Sequence, residues 1–94
     1  MSKNKAVHVI VSGRVQGVCF RMETLKAAVR MNVTGWVKNR RDGAVEAVFE
    51  GASENVDALV NWCKRGPGMA SVSGVAVRDL DYTGEYADFS IRYE

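Results

Sequence analysis

The sequence contains little of what a disulfide-stabilised, metal-binding or membrane-spanning protein needs. It has two cysteines, Cys19 and Cys63, one proline and a single histidine, His8. Two cysteines are too few for a disulfide framework, and one histidine has no partner for a histidine-based metal site or proton relay. We therefore expect no metal or other cofactor and a reducing, cytoplasmic location.

Long hydrophobic runs are also missing, so we expect neither a membrane-spanning segment nor a signal peptide. The net charge of +2 is too small to indicate a nucleic-acid or membrane partner, although it suits a small anionic ligand. With 94 residues and 47% hydrophobic content, the chain is expected to form one domain over residues 1–94 and to act as a monomer.

The first half of the chain predicts a strand, a loop and a helix. Residues 6–11 alternate as a strand, whereas residues 12–20 contain two glycines and no regular period, which predicts a loop. A helix is predicted from Arg21 to about Asn32, with an apolar face formed by Met22, Leu25 and Val29.

A hairpin follows this helix. Residues 34–40 predict a second strand, and Asp42-Gly43 predicts a tight turn, because glycine accepts the positive φ that such turns need. In the third strand one face is predicted to be apolar, and the other is predicted to be a solvated face that carries Glu46 and Glu50. The apolar face consists of Val45, Ala47 and Phe49.

The second half predicts another helix and two strands. Ser53 is the predicted N-cap of the helix, and Gly66-Pro67 ends it. A strand is predicted within residues 72–80, and a short last strand alternates through residues 89–93. The predicted apolar stripe of the helix is Val56, Leu59, Val60 and Cys63.

Each predicted helix has one apolar face, so two helices can cover one side of a sheet. This order predicts an α+β, ferredoxin-like sandwich (βαββαβ plus a short edge strand), with a mainly antiparallel sheet and both helices on one face.

The segment 13–21, GRVQGVCFR, joins the first strand to the first helix. Its backbone N–H groups can converge on an anion beside a helix N-terminus, and Arg21 can add a forked cation that matches phosphate oxygens. The alternative is a glycine-bearing connection followed by a surface arginine.

Asn39 ends the second predicted strand, which runs parallel to the first in a fold of this kind. The two strand ends then reach the same edge of the sheet, where Arg21 and Asn39 can meet. An asparagine amide can orient a water, although an asparagine before a hairpin is usually a turn residue.

Two separated segments resemble the signatures of the acylphosphatase family. Residues 13–21 are similar to the first signature, and GWVKN at 35–39, followed by Gly43, Val45 and Gly51, is similar to the second. The ending at 89–93 is similar to the last strand of the family. The resemblance implies a metal-independent hydrolase of acyl phosphates, in which Arg21 binds the phosphate and Asn39 orients the attacking water. It also implies a backbone-amide cradle formed by Val15, Gln16, Gly17, Val18, Cys19 and Phe20.

Other hypotheses compete with this one. A ferredoxin-like domain can bind RNA through aromatic residues on its open sheet face, but the third predicted strand offers glutamates there. A non-catalytic ligand-binding module is a third possibility. Cys19 lies near a helix start, but the single residue between it and Arg21 cannot form the phosphate-encircling loop of a cysteine phosphatase. We expect His8 to be a half-exposed strand residue and Cys63 to lie in the core.

Overall fold

The computed structural model describes residues 3–93, which form two helices and a five-stranded sheet of order β4-β1-β3-β2-β5. This confirms the ferredoxin-like α+β fold. The elements in chain order are β1 (Asn4–Arg14), α1 (Phe20–Arg30), β2 (Thr34–Asn39), β3 (Val45–Ala52), α2 (Ser53–Arg65), β4 (Ser71–Leu80) and β5 (Phe89–Arg92). Neither helix is long and apolar enough to cross a membrane.

The strand directions place the ends of β1 and β2 at one edge of the sheet. Strand β1 pairs antiparallel with β3 and β4, and β2 pairs antiparallel with β3 and parallel with β5. Because β1 and β2 both run opposite to β3, they run parallel to each other, as expected. In the register, Val45 of β3 lies opposite Val11 on one side and Asn39 on the other.

The core lies between the sheet and the two helices. The predicted inward faces of the first and third strands are buried, and so is the predicted stripe of α2, with Leu59 and Val56 fully enclosed. Burial raises the pKa of the Cys63 thiol to about 12, which agrees with the predicted core position. Strand β1 contributes Val7, Val9 and Val11 to this core.

The predicted loop at 12–20 was partly wrong, because β1 continues to Arg14. A register shift between Ser12 and Gly13 interrupts the ladder, because Ser12 lies opposite Gly74 and Gly13 opposite Val72, and the pairing with β4 then continues to Arg14. Gly13 has φ 119°, and a Cβ at this position would lie 2.3 Å from the Ser71 carbonyl oxygen. Glycine is therefore needed where β1 turns into the following loop.

The predicted apolar face of α1 was wrong at two of its three residues. Met22 and Val29 are 47% and 66% exposed, whereas Leu25 is partly buried against the core. Small side chains face the sheet instead, which lets the helix approach closely, and the buried Thr24 donates its hydroxyl hydrogen to the Phe20 carbonyl at 2.7 Å. The buried residues of α1 are Phe20, Thr24, Ala27 and Ala28.

Ser53 is not the N-cap of α2, contrary to the prediction. Strand β3 runs directly into the helix, so Ala52 occupies the cap position, and the end carries no side-chain cap hydrogen bond. The Ser53 N–H donates to the Lys3 carbonyl at 2.7 Å, which satisfies one of the free donors at the helix start.

The open face of the sheet differs from its expected composition. Trp36 lies on this face, opposite Val48, with Lys38 and Arg92 over its ring at 5.6 and 5.0 Å. His8 lies there too, and its Nε2 is 2.6 Å from the Glu46 carboxylate. The histidine is half-buried, as predicted, and this contact is the main cause that lowers the pKa of Glu46.

Glu50 was expected on a solvated face, but its side chain is buried. The segment after β4 covers it and donates three hydrogen bonds to its carboxylate, from Thr83 N, Thr83 Oγ1 and Gly84 N at 2.9–3.0 Å. This buried carboxylate attaches the β4–β5 connection to the sheet and so fixes where β5 begins.

We predict that Glu50→Gln lowers the free energy of unfolding by about 1–3 kcal/mol, because an amide cannot accept all three hydrogen bonds. Urea unfolding at neutral pH measures the change. Glu85→Gln, at an exposed position of the same connection, serves as the control and should unfold like the parent protein. Equal stability of the Glu50 variant would show that these bonds contribute nothing net.

Candidate active site

The loop after β1, the start of α1 and the ends of β2 and β5 surround a cavity of about 370 Å³. It contains both residues to which the sequence assigned chemistry, Arg21 and Asn39. Its lining consists of Val15, Gly17, Cys19, Phe20, Arg21, Met22, Asn39, Ile91 and Tyr93. Gln16 and Val18, which were predicted in the same cradle, are not part of this lining within residues 3–93.

The loop backbone has the conformation of an anion-binding concavity. Gly17 and Cys19 both lie in the left-handed region, with φ 73° and 62°. A left-handed residue next to right-handed ones turns successive N–H groups toward one point. In the described chain, the N–H groups of Gly17, Val18 and Cys19 donate to no other protein group. The N-terminus of α1, which starts at Phe20, adds positive potential beside them.

Arg21 is the second residue of α1 and extends over the same cavity. Its guanidinium carbon lies 5.2 Å from the centre of the Tyr93 ring, a cation–π contact that positions the side chain. Within residues 3–93 the guanidinium has no ion pair with a carboxylate. Its forked N–H donors therefore remain available to an anion in the cavity.

Asn39 is the last residue of β2, and its side chain carries an unsatisfied acceptor. The Oδ1 atom is buried and has no hydrogen-bond partner among the described residues. An orphaned buried oxygen costs free energy unless a water or a ligand donates to it. Asn39 also lines the cavity that contains Arg21, so its side-chain amide is placed to hydrogen-bond a water bound there.

The Gln16 side chain connects the loop to the β2–β3 hairpin. Its Nε2 donates to the carbonyl oxygens of Arg40 at 2.7 Å and Ala44 at 2.9 Å. The hairpin has the predicted tight turn, in which Arg40 N donates to the Ala44 carbonyl and Gly43 has a positive φ. Both amide hydrogens of Gln16 are therefore used to join the loop with the strand end that carries Asn39.

Sequence reasoning missed three residues that line the cavity, Met22, Ile91 and Tyr93. Tyr93 reaches the cavity because β5 pairs parallel with β2 and places Arg92 opposite Lys38, a pairing that the sequence did not indicate. The next residue, Tyr93, then lies beside Asn39. Met22 follows Arg21 on a helix whose buried face was assigned incorrectly, so its exposure at the cavity could not be foreseen.

Arginine side chains line one side of this cavity. An adjoining space of about 300 Å³ is lined by Arg21, Asn39, Arg40, Arg41 and Tyr93. Arg40 is paired with Asp42 at 3.0 Å, and the hydrogen bond from Ala44 N to Asp42 is the main cause that lowers the pKa of that carboxyl. The positive potential favours an anionic ligand.

The described cavity lining lacks the side chains that most often carry acid–base or metal chemistry. In residues 3–93 the cavity lining includes no carboxylate and no imidazole, and no cluster of three potential metal-ligating side chains occurs. The arrangement can bind a tetrahedral anion and hold a water next to it.

Comparison with known proteins agrees with this chemistry. A family model described as acylphosphatase matches residues 7–91. The chain is 55% identical to an acylphosphatase of Pelotomaculum thermopropionicum, over 99% of this chain and 100% of that protein.

Solved structures give the same result. An acylphosphatase from Coxiella burnetii superposes with a TM-score of 0.90 at 40% identity, covering 95% of this chain and 93% of that one. For the enzyme from Bacillus subtilis, the TM-score is 0.91 at 36% identity, with 95% and 99% covered. This protein thus belongs to the acylphosphatase family, and its reaction is the hydrolysis of acyl phosphates.

Proposed function

We propose that the chain hydrolyses R–CO–O–PO₃²⁻ to a carboxylate and phosphate by attack of an Asn39-held water at phosphorus. The observation that carries this proposal is that Asn39 and Arg21 line the same cavity, and that Asn39 Oδ1 has no hydrogen-bond partner among the described residues. The backbone N–H groups from Val15 to Phe20 and the Arg21 guanidinium bind the phosphoryl oxygens. Because their charge grows toward the transition state, these fixed donors stabilise it most strongly there.

Asn39 positions the water by accepting a hydrogen bond from it. A water that donates one hydrogen to Asn39 Oδ1 has its lone pairs directed away from that bond, which leaves one of them for attack in line with the leaving oxygen. A carboxylate is a good leaving group, so positioning and charge stabilisation can supply most of the catalysis.

No side chain in the described lining is a suitable base, and we propose that the water's proton passes to a phosphoryl oxygen of the substrate. Cys19 contributes its backbone N–H, not its sulfur, to the cradle.

We also propose that the enzyme is a cytoplasmic monomer without a nucleic-acid partner. Two free cysteines, one of them exposed, suit a reducing compartment. The Trp36 ring contacts Lys38 and Arg92, so its face is already occupied where an RNA base would stack.

Substitution should separate the two catalytic roles. Arg21→Gln is expected to weaken both turnover and inhibition by inorganic phosphate, because Arg21 contacts the phosphoryl group in bound substrate and in the transition state. Asn39→Ala is expected to keep phosphate affinity nearly intact and to lower kcat by roughly 10²–10³, or about 3–4 kcal/mol. Steady-state kinetics and phosphate inhibition on variants shown to be folded measure both effects. If Asn39→Ala loses phosphate binding but turns over bound substrate normally, the water-orienting role is wrong.

Gln16 should act through Asn39 by fixing the distance between the loop and the hairpin. We predict that Gln16→Ala lowers kcat about tenfold to a hundredfold and leaves phosphate affinity nearly unchanged, because a small displacement of the water is enough for such a loss. In an Asn39→Ala background the same change should have no further effect on kcat.

The matched control is Thr34→Val, which removes another side-chain hydrogen bond from β2, the 3.3 Å bond from Thr34 Oγ1 to the Glu50 carbonyl. This variant should keep the parent kcat. Loss of the same factor by Gln16→Ala in both Asn39 backgrounds would contradict the coupling.

The mechanism needs no metal ion. Preincubation with a strong chelator should therefore leave kcat and KM for a simple acyl phosphate unchanged. Activity that disappears on chelation and returns with a divalent cation would refute it.

A further inference from the structure

A second cavity, of about 680 Å³, has no role in the mechanism above. It lies next to the loop between β1 and α1 (residues 15–19), which we call the phosphate loop. We call the second cavity the apolar cavity. It shares Gly17 and Cys19 with the active-site cavity, and Asn39 is not part of its described lining. The lining consists of Gly17, Val18, Cys19, Glu23, Pro67, Gly68 and Met69.

The turn after α2 forms the far wall of the apolar cavity. Gly66 ends the helix with φ 71°, and the Ala70 N–H donates to the Pro67 carbonyl at 2.9 Å, which closes the turn. A Cβ on Gly66 would lie 3.1 Å from the Phe20 ring, so the turn is packed against the end of the loop. This packing leaves Met69 70% exposed beside the loop.

The in-line geometry of phosphoryl transfer relates the apolar cavity to the active-site cavity. In phosphoryl transfer the attacking and leaving oxygens lie roughly in line on opposite sides of phosphorus. If Asn39 holds the water, the acyl oxygen leaves on the side away from Asn39. The arginine-lined space is on the Asn39 side, whereas the apolar cavity adjoins the loop at Gly17 and Cys19 without it.

We propose that the apolar cavity binds the acyl part of the substrate and favours uncharged, apolar acyl groups such as alkyl chains and aromatic rings. This inference rests on the proposed function. Val18, Pro67 and Met69 offer the apolar contacts. Glu23, whose carboxylate lies 3.3 Å from Lys26, is the charged member of the lining and disfavours an acyl group with a second carboxylate.

Substrate preference tests this assignment. The ratio of kcat/KM for hexanoyl phosphate to that for acetyl phosphate is expected to exceed one in the parent enzyme. It should fall about fivefold to tenfold in Met69→Ser, because an exposed side chain such as Met69 supplies only part of the contact that a well-packed pocket gives to each methylene. Val29→Ser is the matched control, because Val29 is similarly exposed at 66% on α1 and lines none of the cavities described here.

A second experiment tests the role of the Glu23 carboxylate. Glu23→Gln should raise kcat/KM for succinyl phosphate about threefold or more relative to butyryl phosphate, since the like-charge repulsion is removed. The Lys26→Gln variant should lower the same ratio or leave it unchanged, because it removes the cation next to Glu23.

The competing placement of the acyl group is in the active-site cavity, against the exposed Met22. Met22→Ser tests this placement in the same way as Met69→Ser tests the apolar cavity. A ratio that changes in Met22→Ser and not in Met69→Ser overturns the proposal, and so does an unchanged ratio in both. If the proposed role of Arg21 or Asn39 is wrong, the rates of Arg21→Gln or Asn39→Ala will show it with every substrate. The ratio between two substrates of one enzyme depends on the acyl contacts alone, so the two failures can be told apart.

Discussion

Strand β3 is the element on which the active site depends, because β1 and β2 both pair with it from opposite sides. Val45 lies between Val11 on one side and Asn39 on the other. Two strand spacings therefore set Val11 and Asn39 about 10 Å apart. The backbone ladder fixes this distance, since a slip of one residue would turn the buried valines outward. The loop after β1 begins at Val15, four residues beyond Val11, so the sheet register determines how far this loop lies from the Asn39 amide.

The sequence was sufficient where periodicity reports burial. Alternating apolar residues predicted β1 and β3, and the stripe through Leu59 predicted the buried face of α2. It was insufficient where tertiary contacts decide. Glu50 becomes buried because a segment 33 residues later covers it, and α1 buries small residues because the helix lies close to the sheet. Arg21 and Asn39 were predicted from motifs and strand direction, whereas Tyr93 depends on the pairing of β5 with β2.

The site contains preorganised donors and one orphaned acceptor, a combination that suits a substrate whose leaving group needs no help. Gly17 and Cys19 hold a left-handed backbone, and their N–H groups stay unpaired within the described residues. The left-handed conformation is strained at Cys19, which is not a glycine, and on the proposed mechanism a phosphoryl group bound to these N–H groups would compensate for this cost. The two hydrogen bonds of Gln16 fix the position of the hairpin relative to the loop, since both end on hairpin carbonyl oxygens.

The surroundings of the phosphate loop are also divided by polarity. Arg40 and Arg41 lie on the Asn39 side, whereas Val18, Pro67 and Met69 lie on the other. Attack produces two anions, phosphate and a carboxylate, which repel each other once the P–O bond breaks. If phosphate binds to the loop amides and the acyl group lies in the apolar cavity, as we propose, phosphate stays beside the cations, while the carboxylate forms near an apolar wall and Glu23, which bind it poorly. On this proposal the same asymmetry that admits an apolar acyl group favours release of the carboxylate before phosphate.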